Sequence, residues 1–393
     1  FDIGDFLVRP IVIKSIAIIK KADNTYTILG NTNSNEIEGM KNQGMNDYFL
    51  VNLDLEGNTI SKIRHGSSQF DYAKDLIQTE DGSLLIVGYS RNPIKIKGMK
   101  KKISGQVLFD EGLSKYSWFN LGGPAKIIFK PKNLNELSTF LKNVRGFNKI
   151  KVLGAGSNTL IRDGGFDGVI IKFGKSFSHM SLLNENMLIA GASALDKNVS
   201  NFAFENSLSG FEFLSCIPGT IGGGIRMNSG CYGEDISKIL VSVQVLDLIS
   251  GKVKVIYSSD IRFSYRSCSL DSSLIFISAT FKGKNDNNLN IKKKIANLVE
   301  RKKKDQPSKI KTCGSTFKNP ENNKAWSLIK NSGCAGMKVG GAYISEKHCN
   351  FFVNEGNAKS QDLENLIYQV KSKVLDKTGI KLELELEIIG EKL

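Results

Sequence analysis

The chain has 393 residues, enough for two or three domains with sizeable cores, and carries a formal charge of +15. That charge suits anionic ligands, although a solvated lysine surface accounts for it equally well. No apolar run approaches the roughly 20 residues of a membrane span. Six cysteines without a C-x-x-C pair, and three scattered histidines, argue against a metal site and for free thiols in a reducing compartment, the cytoplasm.

The first 98 residues read as β-rich. Phe1 to Lys21 carries Asp2, Asp5, Arg9 and Lys14, so it is not the apolar region of a signal peptide. Asp23–Thr32 (DNTYTILGNT) resembles Asp81–Ser90 (DGSLLIVGYS), and Asp47–Asn58 reads as another strand followed by a Glu-Gly turn. Short strands with D-N and D-G turns at a period of about 60 residues resemble propeller blades. Fewer than two blades are present, too few to close a ring. The chain begins with Phe1, and Met99 followed by KKKISG reads as a native start. Residues 1–98 are therefore expected to be a propeller remnant joined by gene fusion or by an assembly error, with a docking module as the second reading.

Further along, Asn133 is expected to cap a helix to about Val144, with Leu134, Leu137 and Leu141 on one face. Lys151–Leu153 and Val169–Lys172 read as buried strands flanking a first glycine loop within VLGAGSNTLIRDGGFDGVII (152–171). Ser193 starts a helix with Leu195, Val199, Phe202 and Ala203 inward, ending before Gly210. A second glycine loop, IPGTIGGGIRMNSGCYG, spans 217–233. Without a Cβ, backbone N–H groups can crowd around an anion. Two such loops in one chain suggest one long phosphate-bearing ligand, a dinucleotide. A nicotinamide-type Rossmann turn fits poorly. Thr159 stands where the third glycine belongs, and Lys172-Phe173-Gly174 offers no carboxylate for the ribose. No Gly-Lys-Ser/Thr follows either loop, which sets aside a P-loop.

Val243–Leu248 and Leu274–Phe281 read as strands. Lys292, Lys293, Lys294, Arg301, Lys302, Lys303 and Lys304 surround Ile295, Leu298 and Val299, the pattern of a cationic surface helix. It lacks the aromatic interleaving of single-strand nucleic-acid binders, so no nucleic-acid partner is expected. Asp305–Lys311 reads as a linker. Ser360 caps a helix carrying Leu363, Leu366, Ile367, Val370 and Val374, and Gly379 ends it. Leu382–Ile389 then alternates as a strand. Glu383, Glu385 and Glu387 would share one face, where three carboxylates raise one another's pKa.

From Met99 onward, a series of ordered blocks resembles the UDP-N-acetylenolpyruvoylglucosamine reductase (MurB) family. They are YSWFNLGGPAK (116–126), the first glycine loop, the segment 210–236, FSYRSC (263–268), CGSTFKNP (313–320), the segment 332–358 and LELELEIIGE (382–391). The resemblance implies an α+β protein with an FAD-binding fold of vanillyl-alcohol-oxidase (PCMH) type and a C-terminal α+β substrate domain, preceded by the propeller-like fragment. The expected divisions are 1–98, two FAD-binding subdomains at 99–172 and 173–305, and a substrate-binding domain at 306–393. The implied cofactor is FAD, with NADPH as co-substrate. The implied reaction reduces UDP-N-acetylglucosamine enolpyruvate to UDP-N-acetylmuramate in peptidoglycan precursor synthesis. A cytoplasmic monomer with no membrane partner is expected.

Residue by residue, the resemblance gives Gly154, Ala155, Gly156, Ser157 and Asn158 to the pyrophosphate, and Pro218, Gly219, Thr220, Gly222, Gly223 and Gly230 to the flavin. Ser315 matches the proton donor and Arg266 the arginine at the substrate carboxylate. Glu385 matches the glutamate beside the enolate, and Asn319 and Lys330 are candidate substrate contacts. No long tyrosine-bearing insertion separates Arg266 from Ser315, which implies the shorter subtype. Glu387 departs from the family's arginine, and Asn120 from a common basic residue. Two other classes compete with this reading. A small-alcohol oxidase of the same fold would lack the Arg266, Ser315 and Glu385 set, and a non-enzymatic binding protein would lack flavin absorbance.

Overall fold

The computed structural model describes residues 14–21, 25–32, 36–37, 40–41, 47–65, 70–78, 84–91, 104–143 and 149–393. The chain divides into two compact units, residues 1–102 and 103–393.

In the first unit, Lys14–Lys20, Tyr26–Thr32, Asp47–Leu53 and Thr59–His65 form an antiparallel sheet in that order. Phe70–Gln78 and Leu84–Arg91 form a separate hairpin. Leu29, Leu50 and Leu76 meet in a small core. Gly57 turns the chain between two strands with φ +88°, which only glycine adopts cheaply. Residues 23, 24 and 81–83 of the repeat lie outside the described residues.

The second unit begins with a four-stranded sheet in the order Ile150–Val152, Phe166–Ile171, Pro124–Lys130, Gln106–Gly112. The first three strands run parallel and the last antiparallel. Helix α1 (Leu134–Asn143) makes the crossover, and Asn133 Oδ1 accepts from the Glu136 N–H at 2.9 Å as its cap. Leu137 is buried, and Phe140 stacks on Phe129 at 3.9 Å. Burial of both faces explains the unbroken apolar run Val169-Ile170-Ile171.

A five-stranded antiparallel sheet follows, in the order Met180–Asn184, Met187–Gly191, Leu274–Lys282, Leu240–Asp247, Val253–Tyr257. Its core includes Val199 and Ala203 of helix α2 (Asp196–Glu205) and Ile221 and Ile225 of helix α3 (Ile221–Arg226). Leu195 departs from the expected inward face. It is the residue before α2, in extended backbone, and stays 47% exposed. Helix α4 (Asn288–Asp305) is the cationic helix, with only Ile291 fully buried.

The last part joins a three-stranded sheet (Lys338–Val339, Ala342–Ile344, Phe352–Asn354) to helices α5 (Ala325–Asn331) and α6 (Ser360–Thr378). Its core also takes in Phe119, Leu121 and Leu160 from the first sheet region. Glu387–Ile389 pairs in parallel with Thr159–Ile161. Arg162 makes a bidentate ion pair with the buried Glu364 at 2.7 and 3.0 Å. The cap of α6 differs from expectation. Ser360 is its first residue, and its N–H and that of Gln361 are taken by the carboxylate of Asp163, far away in sequence. Gly379 does end the helix, at φ +70°.

Candidate active site

The two glycine loops meet. A Cβ on Gly154 would lie 2.7 Å from Thr220 Oγ1, so the first loop approaches the second too closely for a side chain. Gly156 has φ +69°, and a Cβ there would lie 1.9 Å from the Tyr116 carbonyl oxygen. Asn158 Nδ2 lies 3.8 Å from Met227 Sδ, just after α3. Beside the first loop opens a cleft of about 450 Å³ lined by Lys115, Tyr116, Ala155, Lys172 and Lys311, among others. Burial and the neighbouring Lys130 push the Lys172 ammonium down to about 8, and its Nζ reaches the Gly154 carbonyl. A bare backbone cradle beside the half-buried Lys172 and the exposed Lys115 and Lys311 fits a diphosphate. The first loop with these lysines therefore fits the diphosphate of FAD, the cofactor the resemblance implies; Lys115 and Lys311 were not singled out, because scattered positions on a lysine-rich chain carry no local signal.

Under the second loop lies Asp196, wholly buried, with neither carboxylate oxygen bonded among the described residues. A Cβ on Gly219 would lie 2.5 Å from its Oδ2. Burial pushes this carboxyl up from its ordinary value of 3.8 to about 8. The folded state thus holds a proton that the unfolded chain releases. The group's stability contribution is full below pH 3.8 and is lost as pH rises toward 8. Asp196→Asn should therefore melt at a higher temperature than the parent. Its advantage should grow between pH 5 and about 8, on the order of 1.4 kcal/mol per pH unit, and then level off. Thermal unfolding across that range checks this; a constant offset would mean that Asp196 is not protonated in the fold.

The catalytic candidates converge from three segments. Arg266 sits at the tip of the hairpin Phe263–Ser264/Ser267–Cys268 with φ +55°. Its Nε donates to Glu385 Oε1 at 2.7 Å, and its Nη2 to the Gly230 carbonyl at 2.9 Å. The Arg266 and Glu385 side chains are only 18% and 10% exposed. The backbone of Glu385 is held by both neighbours. Its N–H donates to the Thr316 carbonyl, one residue past Ser315, at 2.9 Å, and its carbonyl accepts from Asn158 Nδ2 at 2.9 Å. Ser315 follows Gly314 (φ +79°) and pairs with Phe351 across an isolated bridge. One cluster thus links the first loop, the second loop, the SYR hairpin, the CGST turn and the C-terminal segment.

The expected row of three glutamates does not form. The C-terminal segment bends at Glu385-Leu386, and only Glu387–Ile389 is a strand. Glu383 and Glu387 lie on either side of that bend and pair with Lys318 and Lys151 respectively. Burial raises the Glu385 carboxyl, opposed by Arg266 and Lys318; its sister carboxylates play no part. Asn319 Oδ1 accepts from the Ala325 N–H at 3.0 Å, opening α5, while Nδ2 lies 3.5 Å from the Tyr265 hydroxyl. Tyr265, Asn319, Asn322, Asn323 and Lys324 line an open cleft of about 380 Å³. Lys330 is in the last turn of α5, where its charge acts on Cys349; no contact joins it to Arg266, Ser315 or Glu385 among the described residues. Tyr265 was missed. Its ring lies under the Arg266 guanidinium at 5.0 Å, and its place beside Arg266 in SYR was the available signal.

The fold and the paired glycine loops define the class, an FAD-dependent oxidoreductase with a vanillyl-alcohol-oxidase-type flavin domain. Residues 125–257 match the family model of the FAD binding domain, and residues 306–389 that of the UDP-N-acetylenolpyruvoylglucosamine reductase C-terminal domain. The chain belongs to the UDP-N-acetylenolpyruvoylglucosamine reductase family. It is 49% identical to the reductase of that name from Pelagibacter ubique over 298 residues, which cover 75% of this chain and 98% of the relative. The Orientia tsutsugamushi (strain Ikeda) reductase is 43% identical over 294 residues, 74% of this chain and 97% of the relative. The crystal structure of the Thermus caldophilus reductase (MurB) superposes with a TM-score of 0.64 at 29% identity, covering 73% of this chain and all of that one. Among the described residues, no helix is long and apolar enough to cross a membrane.

Proposed function

We propose that the chain reduces UDP-N-acetylglucosamine enolpyruvate to UDP-N-acetylmuramate with NADPH as reductant, as a cytoplasmic monomer. The observation that carries this reading is the buried Arg266–Glu385 pair, tied to both glycine loops and backed by the Ser315 turn. Bound FAD supplies a hydride acceptor toward NADPH and a hydride donor toward the substrate.

The chain's own residues do the rest. Gly154 to Asn158 and Pro218 to Gly223, with Gly230, bind and orient the cofactor through backbone contacts. Arg266 spends one donor on Glu385 and one on Gly230, and its remaining N–H groups face the substrate carboxylate. That carboxylate brings a second negative charge to Glu385, whose pKa burial has already raised, and favours its protonated form. A neutral Glu385 can then donate a hydrogen bond to the enolate oxygen while Arg266 neutralises its charge. The Ser315 hydroxyl delivers the proton to carbon 2 of the enolpyruvyl group. A serine is a weak acid, so the basicity of the enolate drives that transfer. Asn319 and Tyr265 border the cleft through which the nucleotide end is proposed to pass.

Anaerobic reduction by NADPH, followed by reoxidation with the enolpyruvyl substrate, tests the reading through flavin absorbance. Failure of NADPH to bleach the flavin would sink it. Removal of residues 1–98 should leave flavin content and turnover within about twofold, because both family matches and every site residue lie beyond Met99. Loss of FAD from the truncated protein would make the first unit part of the enzyme.

A further inference from the structure

The two members of the Arg266–Glu385 pair hang from different glycine loops. Arg266 reaches the second loop through its Nη2, on the Gly230 carbonyl at 2.9 Å. Glu385 reaches the first loop through Asn158, which grips the C-terminal segment at two points. The Asn158 carbonyl accepts from the Glu387 N–H at 3.1 Å, just ahead of the parallel pairing of Glu387–Ile389 with Thr159–Ile161. Its side-chain Nδ2 donates to the Glu385 carbonyl at 2.9 Å. The two contacts lie on either side of Leu386, so together they span the bend at Glu385-Leu386.

The bend explains why a side chain is needed there. Inside a sheet, the Glu385 carbonyl would find a backbone N–H on a neighbouring strand. Here the segment leaves the Phe317–Leu384 bridge before it joins Thr159–Ile161. The Glu385 N–H still finds a backbone partner, the Thr316 carbonyl at 2.9 Å, whereas its carbonyl takes the Asn158 amide. A side-chain amide suits this place. A carboxylate of the same shape offers no N–H, and a serine hydroxyl sits on a shorter stem. The same Nδ2 lies 3.8 Å from Met227 Sδ, so Asn158 also touches the second loop. Glu385 is thus held at three points: its N–H by Thr316, its carbonyl by Asn158 and its carboxylate by Arg266.

We propose that Asn158 is a positioning residue for Glu385. Its amide fixes the bend, so the loop that carries the cofactor also sets where the Glu385 carboxyl stands against the substrate. The backbone of that loop remains free for the cofactor. Gly154 and Gly156 leave it bare, and the side chain of Asn158 is committed to the C-terminal segment. What the carboxyl does to substrate rests on the proposed reductase reading; the hold on the bend does not. Misplacing a reacting group by an ångström costs on the order of a hundredfold in rate. Glu385 keeps its contacts to Thr316 and Arg266 when Asn158 is removed, so the expected loss is smaller, about tenfold.

The test combines Asn158→Ala with Glu385→Ala on the full chain with FAD bound. Asn158→Ala should slow reoxidation by the enolpyruvyl substrate about tenfold, and NADPH bleaching by no more than about threefold. In the Glu385→Ala background the same substitution should add less than about twofold, because no carboxyl is left to place. Backbone hydrogen exchange across 383–389 should speed up about tenfold in Asn158→Ala, with exchange in α6 unchanged. Asn158→Ser, whose hydroxyl falls short of the Glu385 carbonyl, takes the same readings if the alanine variant does not fold. Equal slowing by Asn158→Ala in both backgrounds would overturn the proposal and make the residue a general brace. Loss of FAD, with both half-reactions slowed in proportion, would overturn it too and make the side chain a cofactor ligand. A parent that the enolpyruvyl substrate does not reoxidise would count against the reductase reading alone. Unchanged exchange across 383–389 would overturn the hold on the bend whether or not the protein turns over.

Discussion

Replacing Ser315 by Ala should leave FAD content and the rate of NADPH bleaching within about twofold of the parent, while reoxidation by the enolpyruvyl substrate falls a hundredfold to ten-thousandfold. Loss of a positioned general acid typically costs about that much, roughly 3–5 kcal/mol of barrier. The two half-reactions separate because hydride delivery to the flavin asks nothing of a hydroxyl on the CGST turn. Carbon 2 of the substrate, by contrast, must receive a proton once the other carbon has taken hydride. In the proposed role Ser315 adjoins Glu385, because the next carbonyl along, that of Thr316, holds the backbone of Glu385. The backbone of the turn is fixed independently of the side chain, by the Ser315–Phe351 bridge and by the bond from the Thr316 N–H to the Asn350 carbonyl at 2.8 Å. Ala should therefore keep the geometry and remove only the acid. Stopped-flow absorbance of each half-reaction decides the matter. Equal slowing of both would make Ser315 structural.

Much of this site was legible because glycine and motif spacing are local signals. Gly154, Gly156 and Gly219 mark places where a Cβ would strike a neighbouring atom, and a cluster of such positions announces close backbone approach before any fold is known. Helix α1 was readable for the same reason, its cap and its apolar face lying within one short segment. What sequence could not supply was the tertiary partner. Strand periodicity assigned Glu383, Glu385 and Glu387 to one face, but Leu384 pairs with Phe317 and Glu387–Ile389 with Thr159–Ile161, so the chain changes partner across a bend at Glu385-Leu386. That change of partner interrupted the alternation, and it separated Glu385 from its sisters. The cap of α6 came from Asp163, and part of the wall of the cleft beside Ala155 from Lys311, both far in sequence from what they serve. Asp196 was not singled out in the sequence, where nothing marks it off from other carboxylates. Only packing under the second loop made it a buried acid.

The Arg266–Glu385 pair should show the second large effect, and its two partners should fail differently. Arg266→Ala removes the cation proposed to meet the substrate carboxylate and leaves Glu385, only 10% exposed, without its partner. The substrate half-reaction should fall on the order of a hundredfold to a thousandfold, with weaker substrate binding and about 3–5 kcal/mol lost from stability. Arg266→Lys should recover stability better than rate, since an ammonium restores the charge near Glu385 but cannot fork between Glu385, Gly230 and a carboxylate. Glu385→Gln keeps the shape and removes the titration. Because burial raises the Glu385 carboxyl above its ordinary value of 4.5, its contribution to stability is complete below that value and is lost as pH rises through the raised one. In the parent, reoxidation by substrate should decline over the same upper range, as the acid form of Glu385 disappears. Glu385→Gln should be slower at low pH and should lose that decline, while NADPH bleaching stays at the parent rate in both variants. A Glu385→Gln profile that keeps the parent's pH dependence, together with slowed bleaching in Arg266→Ala, would mean that the pair braces the two glycine loops and that the substrate carboxylate binds elsewhere.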